Sequence, residues 1–389
     1  MRHFSCAFFT TCFLFIASIS SGQQVMNYSF GEGLKFVAED NSFAVKCNFR
    51  FQTLYQGRYF ETGDWTESLM IRRSRLKFGG HAFRPNIKYK LELGLSNRDV
   101  GSGNIPESGP TANIVLDAVV KWQFAENWQL WVGQTKLPGN RERVFSSQEL
   151  QFVDRSRVNS RYTLDRDIGI QLHGKHKIGR CAVIEEKLAI STGEGRNIIV
   201  NNPYNGRQYT ARFEWLPFGS FANDGDYFGA DLEREDNVKL SLGITADYNH
   251  NTVRSRGNLG SFVREGEEYV ASNLNTLFID ALLKYRGFSA SGEYAHRSTF
   301  DSKNPEFGYG QGIALAAGYL LPSDWELSGR FTEISPANVS SINQASEYLI
   351  GISKYVSGHS LKIQSDFSYT TRKLDRDFFM MRVQVEVAL

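Results

Sequence analysis

From about residue 42 to the last residue, apolar and polar side chains alternate one by one over stretches of roughly 8 to 13 residues. Turn residues close each stretch. Alternation at period two puts the two classes on opposite faces of an extended strand, so each strand meets two different solvents. In the last stretch Phe379, Met381, Val383, Val385, Val387 and Leu389 share one face, and Met380, Arg382, Gln384, Glu386 and Ala388 the other. The first stretch mirrors it: Phe43, Val45, Cys47, Phe49, Phe51 and Tyr55 oppose Lys46, Asn48, Arg50, Gln52 and Arg58. Roughly sixteen such stretches follow one another. Short connections are read at 83–86, 125–127, 217–221, 286–287, 321–324 and 356–359. Longer ones fall at 98–112, 136–166, 250–272, 296–307 and 333–346. This is the rhythm of an up-and-down meander with one trimmed rim and one elaborated rim.

Two architectures alternate in this way. Strands of a soluble β-sandwich average about 5–6 residues, whereas a tilted membrane-spanning strand needs about 9–11. The stretches here match the longer class. Tyr55, Tyr59, Trp122, Trp128, Trp215, Tyr248, Tyr285, Tyr319, Trp325 and Tyr369 stand where apolar bands end, as the aromatic girdles of outer-membrane barrels do. A sheet in lipid must close, because an open edge strands its N–H and C=O groups. The final stretch runs to the last residue and can pair with the first. The expected fold is all-β: a 16-stranded antiparallel transmembrane β-barrel of one domain, residues 23–389, in the cell outer membrane.

Residues 1–22 read as a secretory signal peptide: Arg2 and His3, an apolar run from Phe8 to Ile19, then Ser20, Ser21 and Gly22 before Gln23. No other long apolar run occurs, and the mean hydropathy is −0.36, which excludes a helical membrane protein. Seventeen Tyr and 29 Phe exclude a disordered chain. A net charge of +2 speaks against nucleic acid as a partner. The two cysteines beyond the leader, Cys47 and Cys181, have no metal-site spacing and read as small apolar fillers.

A barrel of sixteen strands is wide enough for an aqueous lumen, so the charges that face inward set the function. Residues 69–91 hold Arg72, Arg73, Arg75, Lys77, Arg84, Lys88 and Lys90 and no acid. Arg73, Arg75 and Lys77 are spaced by two and share a face opposite Leu76 and Phe78. Lipid is costly for arginine, so the expected direction of the triple is the lumen, where rows of Arg and Lys favour anions and phosphates. The other reading of the same residues is a generic polar lining balanced by acids on neighbouring strands. The connection at 136–166 carries Arg141, Arg143, Arg155, Arg157, Arg161 and Arg166 against Glu142, Glu149, Asp154 and Asp165. It is long for a hairpin, and Phe145, Leu150, Phe152 and Val153 favour folding inward as a third loop that narrows the pore.

Four segments carry a family resemblance: Met70–Phe78 (MIRRSRLKF), Trp131–Pro138 (WVGQTKLP), Asp165–Gly174 (DRDIGIQLHG) and Tyr209–Pro217 (YTARFEWLP) followed by Gly219. In their order and spacing the chain resembles the phosphate-selective porins O and P. The resemblance implies a sixteen-stranded outer-membrane barrel, a homotrimer, a third loop folded into the pore, and passage of phosphate-type anions past arginine and lysine. By position it implies that Arg73, Arg75 and Lys77 line the lumen and that Arg141, Arg143, Arg155 and Arg157 lie on the constriction loop. A full ladder of evenly spaced arginines is not matched.

Chemistry is absent from the motifs. Gly193, Gly195 and the glycines at 308–312 fit no phosphate-cradling loop, His173 and His176 fall on opposite faces of a strand, and no HExxH or GxSxG occurs. The expectation is no enzyme, no cofactor and no metal. The expected function is a diffusion channel for small hydrophilic solutes biased to anions such as phosphate, embedded in outer-membrane lipid. Arg73, Arg75, Lys77, Lys88, Lys90, Arg141, Arg143, Arg155, Arg157 and Arg166 are its expected pore-lining residues. A general non-selective porin and a secreted all-β binding or adhesion protein are the alternatives.

Overall fold

The segment Arg207–Leu216 shows how the sequence builds the wall. Tyr209, Phe213 and Trp215 are 46%, 43% and 46% exposed on one face, while Gln208, Thr210, Arg212 and Glu214 on the other are at most 3% exposed. The apolar side chains are the ones left uncovered, the reverse of a soluble strand, so the outer solvent is lipid. The structure, a computed structural model, describes residues 24–25, 29–100, 106–108, 113–199 and 202–389. The expected leader, residues 1–22, lies outside the described residues, as does part of the connection at 98–112.

Sixteen strands form the wall: β1 Phe43–Phe60, β2 Trp65–Ala82, β3 Arg84–Gly94, β4 Val115–Ala125, β5 Trp128–Lys136, β6 Arg166–Ile178, β7 Ala182–Ser191, β8 Arg207–Leu216, β9 Lys239–Thr252, β10 Ser272–Tyr285, β11 Phe288–Ser298, β12 Gly310–Leu320, β13 Trp325–Pro336, β14 Ala345–Ser357, β15 Leu361–Arg372 and β16 Phe378–Ala388. Each pairs antiparallel with the next. β16 pairs antiparallel with β1, Ala388 opposite Arg50 and Phe378 opposite Phe60, which closes the barrel. The carbonyl and N–H of Phe49 bond those of Leu389. Beyond that point Leu34–Val37 takes over beside Ala44–Cys47, continuing the line of β16. No strand was expected before Phe43, so this short strand is an addition to the expected wall.

Turns at one rim are tight. Arg286 and Gly287 both adopt positive φ, 46° and 86°, the geometry of a two-residue hairpin that matches strand twist. The third connection at the other rim, residues 137–165, turns into the barrel. Its Leu137, Val158, Tyr162 and Leu164 pack on Ala189, Phe278, Ala295, Ala314 and Ile334 of the wall. Phe145, Leu150, Phe152 and Val153 are all buried, as expected of a loop that leaves water for the lumen.

Two expectations are corrected. The connection after β8 is not the short turn 217–221. It runs to residue 238 and enters the lumen from the tight-turn rim, where Phe221, Asp226, Ala230, Asp231 and Glu235 are buried. Lys284 Nζ donates to the carbonyls of Gly225 (2.8 Å) and Ala230 (2.6 Å), and Asp231 accepts from Gly287 N at 2.7 Å. Phe221 joins Phe145, Leu150, Val183, Leu216 and Leu282 in one cluster, so the two inward loops meet. Gly229 N donates to Glu149 O there at 2.9 Å. A Cβ on Gly229 would stand 2.8 Å from Gln151 N, so the contact requires glycine. The second correction concerns Cys181, which is exposed in the β6–β7 turn and fills no apolar gap.

Candidate functional site: the charged lumen

The third loop sits where ion pairs and caps put it. Short helix α1 (Arg141–Val144) opens it and α2 (Arg157–Tyr162) follows. Ser156 caps α2 by accepting from Asn159 N, and the Glu142 carboxylate takes Ser156 N (2.7 Å) and Oγ (2.5 Å), so the two helices are tied. Arg141 reaches the wall, with Nε 2.6 Å from Asp280 and Nη2 2.9 Å from Glu214. Arg212 joins the same carboxylates at 2.7 and 2.9 Å. These four groups are buried: Arg141 and Asp280 anchor the loop to the wall, while Arg212 and Glu214 also border the cavity described next.

On the side of β2–β8 the loop leaves a cavity of about 730 Å³. Eleven Lys and Arg line it against five Asp and Glu. Several of these cations are already paired: Arg75 with Glu92 (3.0 Å) and Asp99 (2.6 Å), Lys90 with Glu92 and Asp117, Arg166 with Asp117 (3.1 Å), Arg143 with Asp165. Among the described residues, Lys77, Lys121, Lys136 and Arg155 line the cavity without an ion pair. Lys136 Nζ donates to the carbonyls of Val144 and Phe145, and Arg155 to those of Glu142 and Phe145, each within 3.0 Å. Lys121 Nζ lies 3.5 Å from the Trp131 ring centre, and His173 stacks on that ring at 4.0 Å. An ammonium and an imidazole that close cannot share one face, so Trp131 is sandwiched between them. Burial, together with the Arg143 and Arg73 charges, lowers the Arg155 guanidinium well below its ordinary value, with Glu142 and Asp165 opposing. Like charges crowd here and an anion relieves them.

Guanidiniums continue along the wall of β15, β16, β1 and β2. Arg58, Arg157 and Arg372 stand 5.6, 5.4 and 5.0 Å from the ring centre of Phe378 near the long-loop rim. Deeper in, Arg72, Arg73 and Arg382 surround Asp154 of the third loop. Adjacent residues of a strand should face opposite ways, yet Arg72 and Arg73 both reach the lumen. Gln52 pairs with Arg73 and Thr53 with Ile71, so Arg72 is the extra residue of a β-bulge, which re-aims its side chain.

The chain matches the phosphate-selective porin O and P family over residues 45–373. It belongs to that family. It is an outer-membrane diffusion channel and not an enzyme. Its fold is similar to three solved outer-membrane proteins. The channel DcaP of Acinetobacter baumannii has a TM-score of 0.55 at 9% identity, covering 91% of this chain and 99% of that one. OprB of Pseudomonas putida has 0.54 at 10%, covering 90% and 95%. OmpT of Vibrio cholerae has 0.52 at 11%, covering 88% and 99%. No curated protein sequence matches the chain.

In this porin the ten residues expected from sequence fall into different places. Arg75, Lys77, Lys90, Arg143, Arg155 and Arg166 line the large cavity. Arg73 is buried against Gln52 and Asp154. Arg141 is the loop anchor described above. Arg157 bonds Glu347 (3.1 Å) and Thr370 (3.2 Å) on the opposite wall. Lys88 is exposed near the tight-turn rim, directly opposite Lys121. Sequence reasoning missed Lys121, Lys136, Trp131, Arg72 and Arg382 as lumen residues. For Lys121 and Arg382 the signal was present, since each stands on the polar face of an alternating strand. For Arg72 only the bulge supplies it.

Proposed function

We propose that this porin passes small anions in preference to cations, phosphate-like oxyanions among them. The observation that carries the reading is the lining of the large cavity: eleven cations against five carboxylates, four of the eleven without an ion pair among the described residues. Rows of Lys and Arg in a low-dielectric passage favour anions, and the family's description names phosphate. The OmpT structure is described in trimer form, which supports a homotrimer in outer-membrane lipid. Residues 1–22 are proposed as the export leader; N-terminal sequencing of the exported protein should begin at Gln23.

The deciding experiment is the reversal potential of the protein in planar bilayers across a KCl gradient. An anion preference is expected, and a cation preference overturns the reading. A second reading is a general pore of balanced charge, favoured by the pairing of Arg75, Lys90, Arg143 and Arg166 with carboxylates. Chloride current that phosphate does not block would select it.

A further inference from the structure

Near the long-loop rim, where β7 ends and β8 begins, buried oxygens lack partners. Ser191, Gln208 and Asn249 stand side by side on β7, β8 and β9, because Gln208 is opposite each of the other two. Ser191 is 4% exposed, and Gln208 and Asn249 are fully buried. Ser191 Oγ, Gln208 Oε1 and Asn249 Oδ1 have no hydrogen-bond partner among the described residues. Directly opposed residues hold their Cβ atoms about 5 Å apart, so three idle acceptors share one part of the inner wall. Both amides are fixed by their nitrogens: Gln208 Nε2 donates to the two Asp247 oxygens at 2.9 and 3.0 Å, and Asn249 Nδ2 to Gly193 O at 3.0 Å. Turning either amide round would set oxygen against oxygen.

The surroundings are acidic. Asp167 accepts from Thr192 Oγ1 and from Gly193 N, each at 2.6 Å. Glu194, the next residue, accepts from Asn202 Nδ2 at 2.7 Å through Oε1, while its Oε2 has no hydrogen-bond partner among the described residues. Asp247 accepts from Thr210 Oγ1 at 2.7 Å besides the Gln208 amide. All three carboxylates are buried, and among the described residues none forms an ion pair. The guanidiniums that act on them are engaged elsewhere. Arg297 donates to the carbonyls of Arg161 and Tyr162 and to Thr276 Oγ1, and Arg254 lies 4.3 Å from the Phe262 ring centre. Three negative charges therefore face two positive ones across gaps too wide for an ion pair.

We propose that Ser191 Oγ, Glu194 Oε2, Gln208 Oε1 and Asn249 Oδ1 form a binding site for calcium. Among the described residues no three Asp, Glu, His or Cys side chains converge as a metal centre, so the oxygens here are a mixed set of hydroxyl, amide and carboxylate. Such a set suits a hard cation and not zinc or copper. Calcium takes about six to eight oxygens in an adaptable arrangement, with water completing the shell, whereas magnesium demands a near-ideal octahedron. A divalent charge also offsets the excess of acid. The ion ties the start of the connection 192–206 to β8 and β9, where the wall gives way to loops. Its ligands come from three separate stretches of chain, which is why no motif spacing displays them. The proposal goes beyond the anion reading and does not depend on it.

The test is equilibrium dialysis of radioactive calcium against the protein refolded in detergent, free of lipopolysaccharide, with heat-modifiable migration on gels as the check of folding. One ion per chain is expected, half-saturating on the order of 10⁻⁴–10⁻³ M. Glu194→Gln keeps an acceptor for Asn202 and should weaken binding roughly tenfold, since affinity follows ligand charge. Ser191→Ala breaks none of the bonds above, should weaken binding several-fold, and serves if Glu194→Gln does not fold. Calcium should raise the temperature of the heat-modifiable transition in the wild type and do so less in Glu194→Gln. A wild type without saturable calcium binding overturns the proposal and leaves buried water as the partner of these oxygens. Binding that neither substitution weakens overturns it as well, because the ion then sits elsewhere. Magnesium that displaces calcium at equal concentration overturns the choice of ion.

Discussion

Arg155 shows how a single side chain carries selectivity here. Its Nε and Nη2 donate to Glu142 O and Phe145 O, both at 2.7 Å, so the guanidinium is held without being neutralised. A unit charge about 8 Å from a passing ion is worth roughly 2 kcal/mol at an effective dielectric of ~20, and about a third of that after screening by salt. The charge favours chloride and disfavours potassium by the same amount, so Arg155→Gln should lower the chloride-to-potassium permeability ratio by up to roughly tenfold in bilayer recordings, and less at 1 M salt. Arg143→Gln should do less, because that residue already shares its charge with Asp165. Equal effects of the two changes would mean that pairing does not decide which lumen cations matter. At this scale the sequence was partly readable. Alternation placed Arg73, Arg75 and Lys77 on the inner face, but no spacing rule shows which cation finds a carboxylate from another strand. Arg166 of β6, for example, finds Asp117 of β4, two strands away in the wall.

The two inward loops differ in what announced them. Residues 137–165 contain apolar side chains that a solvated loop has no use for, and these seat the loop in the barrel. Residues 217–238 hold six acids, and the sequence reading saw only a short turn at 217–221, yet the fold buries Asp226, Asp231 and Glu235. Backbone N–H groups satisfy Asp231 and Glu235, partners that no sequence pattern displays. Asp226 is different, because its Oδ2 has no hydrogen-bond partner among the described residues. Burial first, then the charges of Glu185 and Glu214, raises its pKa to about 6, against the opposing pull of Arg141. A released loop would return it to about 3.9. Because the docked value is the higher, the docked loop binds a proton the released loop does not. Docking is therefore strongest below pH 4 and weakens as pH climbs through 6, by on the order of 2–3 kcal/mol. Hydrogen exchange of residues 217–238, corrected for intrinsic rates, should show less protection at pH 7.5 than at pH 5. Asp226→Asn should flatten that difference, and a wild-type loop protected equally at both pH values would refute the assignment.

For the molecule as a whole, the alternation of the strands was enough to read the number of strands and the closure, because a sheet between lipid and water leaves few other solutions. It was silent on the seam. There Phe378–Ala388 pairs with Arg50–Phe60 on one side and with Leu361–Thr370 on the other, and only past Leu389 does Leu34–Val37 replace it beside Ala44–Cys47. The two segments that share this edge of β1 consequently bear very different loads. Deleting residues 378–389 strands the ladder groups of β1 and β15 across the lipid, at several kcal/mol for each unsatisfied group. That chain should give no heat-modifiable band and no bilayer conductance. Deleting residues 29–37 uncovers only rungs at the tight-turn rim, where water can replace the lost bonds. That barrel should still form, with a lower unfolding midpoint and the same ion preference. If both deletions abolish folding, the short strand belongs to the closure itself. If neither does, the barrel does not need β16 to close, and the wall drawn from these pairings is wrong.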